Sequence, residues 1–161
     1  MDNRVEAPPI WHYTINGRYG RTNFVNASII IFLVAMALYI LLEDIFPAAP
    51  VIIYVLFVTF YLRAVILRMH DMDFPKLGIL PLVLIYALYI PNMFLEDIRA
   101  YIAFITVTNL AFAGLALFPG SKGENKYGPH PKTGSTAGVI VTIIGGTALL
   151  VMLILSEIPV D

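Results

Sequence analysis

The chain has 161 residues, a formal net charge of −1, 59% apolar and 13% charged residues, and a mean hydropathy of +0.82. That balance excludes an ordinary soluble globular domain and reads as an all-α polytopic membrane protein with no nucleic-acid partner. The absence of cysteine excludes disulfides, thiolate metal sites and cysteine nucleophiles.

The first 23 residues carry Pro8, Pro9, Arg4, Arg18 and Arg21 without an apolar centre, so they read as a retained arm rather than a cleavable signal. Trp11, His12 and Tyr13 precede an Asn16-Gly17 turn signal, a composition suited to the headgroup level of a bilayer. If the helix has already begun at Arg18, Arg18 and Arg21 share one face at i, i+3, and Thr22 or Asn23 is the expected cap.

Five apolar runs near the roughly 20 residues that cross hydrocarbon follow: Phe24 to Leu42, Ala48 to Leu67, Leu77 to Phe94, Ala100 to Phe118, and Ala137 to Leu155. A bundle of five transmembrane helices is therefore expected, although Pro81 and Pro91 leave a re-entrant hairpin of the third and fourth runs as an alternative. The expected domain plan is an arm at 1–23, a four-helix core at 24–118, a Gly/Pro-rich loop at 119–136, and a fifth helix with a short tail at 137–161.

Arg63, near the end of the second run, is expected to carry its charge to the interface on its long stem. Pro75 disfavours helix at Phe74, so His70, Asp71 and Asp73 are placed in the following turn. Thr106, Thr108 and Asn109 in the fourth run read as helix-packing hydrogen-bonders before a transport path. Gly138, Thr142 and Gly146 form a small-residue stripe for close helix packing, within this chain or against a partner. The helix centres carry no Asp, Glu, Lys or His, which argues against an ion-coupled pump.

Nine of the ten Lys and Arg residues lie in the arm, around the second connection or in the fourth connection, and Arg99 alone falls on the other side. This bias puts the N-terminus inside and the C-terminus outside. Glu43, Asp44, Glu96, Asp97, Glu157 and Asp161 fall outside, for formal charges of +4 inside and −5 outside. The expected location is a membrane crossed several times, with the bilayer, an anionic lipid, and a membrane-protein partner or second copy as candidate partners.

Three patterned segments share the inner face: GRYGRTNF at Gly17 to Phe24, RMHD at Arg68 to Asp71, and PGSKGENKYGPHP at Pro119 to Pro131. In that order they resemble the bacterial inner-membrane family called domain of unknown function 805. The resemblance covers about Gly17 to Pro131. It matches Gly17, Arg18, Arg21, Phe24, Arg68, His70, Asp71, Pro119, Gly120, Gly123, Asn125, Tyr127, Gly128, Pro129 and Pro131. Leu67 departs from the arginine usual there, and the chain continues into a fifth run where many members stop. The resemblance implies no activity.

The candidate polar cluster is Arg18, Arg21, Arg68, His70, Asp71, Asn125 and Tyr127, with Asp73 and Glu124 nearby. Read structurally, Arg68 pairs with Asp71, His70 bonds a backbone carbonyl, and Asn125 with Tyr127 pins the loop. A second reading is anion recognition, because arginine forks suit phosphate and the loop glycines let amides approach it. A third makes His70 a general base oriented by an acid such as Asp71. His70, Asp71 and Asp73 share no ligand spacing with His12 or His130, so neither a metal nor a cofactor is expected. The function favoured by the sequence is a non-enzymatic accessory or interaction subunit, with a binder or transporter of a small anion or lipid headgroup as the alternative.

Overall fold

In a computed structural model describing residues 4–75, 107, 110–141, 144 and 145, the first two apolar runs become two long helices. α1 spans Arg21–Leu42 and α2 spans Ala49–Asp71. Each is long and apolar enough to cross a membrane, at about 33 Å for 22 residues. Residues 107 and 110–117 are helical, as are 136–141, 144 and 145, and no strand occurs among the described residues. The third run, together with Thr106, Thr108, Asn109, Thr142 and Gly146, lies outside them.

Helix α1 begins at Arg21 with Gly20 as an extended N-cap and no side-chain cap. Arg18 therefore precedes the helix and does not share a helical face with Arg21, and neither Thr22 nor Asn23 caps it. Thr22 Oγ1 instead accepts from the Gly134 amide at 2.9 Å, and Asn23 Nδ2 donates to the Lys132 carbonyl at 2.9 Å. The competing acceptors and donors come from the segment after the motif loop, more than a hundred residues away, so local capping rules do not anticipate them.

Helix α2 starts with Pro50 in its first turn, where the missing N–H has no intrahelical partner to lose. It runs through His70 and Asp71, which corrects their placement in the turn. The stop is a Schellman arrangement: the Phe74 amide donates to Met69 O at 3.0 Å, the Asp73 amide donates to His70 O at 3.2 Å, and Asp73 takes a positive φ of 58°. Pro75 restrains Phe74 alone, so the helix keeps its last turn up to Asp71.

The two helices form a hairpin in which the N-terminus of α1 meets the C-terminus of α2, as the Tyr19 amide donating to Leu67 O at 2.9 Å records. Their shared core lies at that end. Phe24, Ala27 and Ile31 form a stripe on α1 that packs with Tyr61, Ala64, Val65 and Leu67 of α2. Phe112 brings the 110–117 segment onto the same core, its ring 5.5 Å from that of Phe24. Away from that end, Phe32, Leu38 and Leu41 of α1 and Val51, Val55 and Leu56 of α2 are exposed.

The N-terminal arm lies across α2. Trp11 meets Phe60 edge-on at 5.1 Å, and beneath the arm Arg63 donates to Thr14 O at 2.7 Å and Ile10 O at 2.9 Å. Arg63 is thus buried rather than extended to the interface, because the arm's carbonyls have no helix partners of their own and accept from it.

Candidate functional site

The hairpin geometry puts three charged residues, 53 positions apart at the extremes, in one buried knot. Arg18, Arg68 and Asp71 are 2%, 0% and 1% exposed. An acidic residue in the last turn of a helix faces the negative end of the helix dipole, so Asp71 needs a cationic partner there. It has two. Arg18 donates to Asp71 Oδ1 from Nη2 at 2.9 Å and from Nε at 3.2 Å, while Arg68 Nη1 donates to Oδ2.

The arginine donors left over from Asp71 go to the motif loop and the segment before it. Arg18 Nη1 donates to Gly123 O at 2.6 Å and Gly128 O at 3.0 Å, and its Nη2 reaches Ser121 O and Oγ at 3.0 and 2.9 Å. Arg68 Nε donates to Leu115 O at 2.7 Å, and its Nη2 to Phe118 O. These are carbonyls at the end of the 110–117 helix, where intrahelical partners run out and a cation is electrostatically favoured. One carboxylate and two guanidinium groups thereby fasten the arm, α2, the fourth apolar run and the loop to one another.

The loop is shaped to meet them. The Ser121 amide donates to Asp71 O at 2.7 Å, and Gly120 lies so close that a Cβ there would overlap the Asp71 carboxylate. Asn125 and Gly128 exchange backbone hydrogen bonds at 3.1 and 2.9 Å around a tight turn, with Gly128 at φ 115°. Asn125 Oδ1 accepts from the Tyr127 amide at 2.9 Å, while its Nδ2 donates to His70 O at 2.8 Å and Ser121 Oγ at 3.0 Å. The Tyr127 ring stacks on His70 with centroids 3.7 Å apart, and its hydroxyl donates to Phe74 O at 2.8 Å.

His70 Nδ1 donates to Gly17 O at 3.2 Å. Asp71 gives both oxygens to arginine. Among the described residues, no three His, Asp or Glu side chains converge as metal ligands would. Tyr19, between the knot and Arg63, has its hydroxyl pushed above the usual tyrosine range by burial, with the Arg63 guanidinium opposing the shift.

Of the residues expected in the cluster, Arg18, Arg68, His70, Asp71, Asn125 and Tyr127 stand together. Arg21 does not: it is exposed and takes no part in Asp71's ion pairs. Gly138 sits against α1, where an added Cβ would lie 3.3 Å from Asn26 Nδ2, so its close neighbour is in the same chain. Sequence reasoning passed over Ser121, which both Arg18 and Asn125 use, and Gly120, whose missing side chain leaves room for the carboxylate. The first had no signal; the second was visible only as a matched glycine.

A family model described as Protein of unknown function (DUF805) matches residues 12–129, a span that contains the whole knot. No curated protein and no solved structure matches the chain.

Proposed function

Because the chain belongs to the family described as Protein of unknown function (DUF805), its role has to be read from the site, and we propose that it is a non-enzymatic accessory or interaction subunit of the bacterial inner membrane. On this reading it is a five-span bundle with its N-terminus in the cytoplasm, and the patterned residues are the fastening that holds its cytoplasmic end together. The single observation that carries the reading is the self-pairing of the knot. The guanidinium groups of Arg18 and Arg68 spend their donors on acceptors of the chain itself, at 2% exposure or less.

The physical logic is that of helices in lipid. Hydrocarbon tails are as apolar as leucine, so apolar side chains gain little by leaving lipid for a neighbouring helix, and packing and interhelical hydrogen bonds must hold the bundle. Only 17% of the most apolar stretch of α1 and 33% of that of α2 is buried, which suits helices whose flanks are covered by lipid or by another protein. The excess of basic residues on the motif-bearing side supports the orientation. The bilayer, with a second membrane protein or a second copy of this chain, is the partner set this reading assigns.

One experiment reads both parts. Cysteines are placed at Ser121 and Ser156 in the otherwise cysteine-free chain, intact cells are labelled with an impermeant thiol reagent, and the protein is then extracted gently for native mass spectrometry. Label on position 156 alone and a retained protein partner are expected. Label on 121 and not 156 overturns the orientation, and a bare monomer overturns the accessory role.

A further inference from the structure

Between the N-terminus of α1, the 110–117 helix and the 136–141 helix lies an open cavity of about 500 Å³, within the range of small-molecule sites. Arg21 and Lys122 line it, and neither makes an ion pair or side-chain hydrogen bond among the described residues. Asp71, a carboxylate in its wall, is already held by Arg18 and Arg68, so the three buried charges sum to +1 and the cavity stays cationic. Its other side is apolar, formed by Val25, Ala116 and Val139 from the three helices.

We propose that this cavity binds the phosphate of an anionic phospholipid, with Arg21 and Lys122 on the phosphate and Val25, Ala116 and Val139 beside the glycerol and first acyl carbons. The proposal rests on the reading of α1 and α2 as membrane spans, which sets the cavity at the level where headgroup gives way to hydrocarbon. Cations and apolar walls adjoin here as the anionic phosphate and the acyl chains do along a phospholipid, and a free phosphate has no use for the apolar half. The fork of Arg21 can hold two phosphate oxygens at once while Lys122 adds a point charge. The knot in turn explains why Arg18 is not part of the site: its donors are committed elsewhere.

The test uses the full chain in nanodiscs of phosphatidylcholine with a minor fraction of phosphatidylglycerol, followed by native mass spectrometry of retained lipid. Wild type is expected to retain phosphatidylglycerol in preference to phosphatidylcholine. In Arg21→Gln/Lys122→Gln the preference is expected to fall about twenty-five-fold, taking about fivefold per near-surface cation. Glycerol 3-phosphate and inorganic phosphate are added in separate arms. Failure of both to displace the lipid supports the lipid source, and displacement by either at comparable concentration overturns it. Equal retention by wild type and the double variant overturns the site. The variant removes no ion pair or side-chain hydrogen bond described above, and Arg21→Lys, which keeps the charge, is expected to retain most of the preference; loss in Arg21→Lys equal to that in the double variant overturns the charge argument. Carbonate washing of membranes separates the two levels: a chain that washes off overturns the membrane reading and this site with it, whereas a chain that stays, with unchanged lipid preference in the variant, overturns this site alone.

Discussion

Asp71→Asn is expected to be the most damaging single substitution in the chain, lowering stability by about 3–5 kcal/mol, the range for breaking a buried ion pair from one side. The carboxylate is 1% exposed and is the anion both guanidinium groups share. An amide of the same shape keeps one acceptor oxygen but leaves Arg18 and Arg68 as two like charges in a closed site. Lost accumulation in membranes and a lower unfolding midpoint in nanodiscs are the expected readouts. A midpoint equal to that of wild type would show that Asp71 does not hold the knot.

Arg68→Lys is expected to be nearly as harmful despite keeping the charge, at about 2–4 kcal/mol from stranded acceptors. Arg68 serves Asp71, Leu115 O and Phe118 O from three nitrogens in one plane, and Tyr19 O at a long 3.4 Å. A single ammonium on a flexible stem cannot meet acceptors spread that far apart. The carbonyls ending the 110–117 helix would lose their donor. The distinguishing readout is local: faster amide exchange at the end of the 110–117 helix in Arg68→Lys, with α1 unchanged. Wild-type exchange there would refute the capping role of Arg68.

What the sequence made readable was the part governed by composition and short-range pattern. The first two apolar runs are helices at Arg21–Leu42 and Ala49–Asp71, within a few residues of where hydropathy ends them. The patterned segments GRYGRTNF, RMHD and PGSKGENKYGPHP pointed to Arg18, Arg68, His70, Asp71, Asn125 and Tyr127, which the fold places in one cluster. Arg18 and Arg21 could not be told apart by pattern. Which of them enters the knot depends on the helix starting at Arg21, a start that goes with an extended Gly20 and with the hydrogen bonds Thr22 accepts from Gly134 and Asn23 donates to Lys132. Arg63 was misplaced for the same reason, since its acceptors are carbonyls of an arm whose path no local rule gives. Helix boundaries near Pro75 were off because a Schellman stop at Asp73 lets the helix persist closer to a proline than the restriction at Phe74 alone suggests.

The knot also gives a structural reason for a polar motif in a greasy chain. Backbone carbonyls at the ends of helices and in the loop need donors. Two arginines from different segments supply them together, and Asp71 lets the arginines sit side by side. Removing any one member exposes the others to unpaired burial, so the three residues act as a unit.

Arg18 and Asp71, 53 residues apart, hold the arm to the end of α2 by direct contact. A double-mutant cycle of Arg18→Gln and Asp71→Asn, read by unfolding of the full chain in nanodiscs, measures that contact. A coupling of about 2–3 kcal/mol is expected, with the double variant far less damaged than the sum of the single ones. Additivity of the two substitutions within about 0.5 kcal/mol would contradict it.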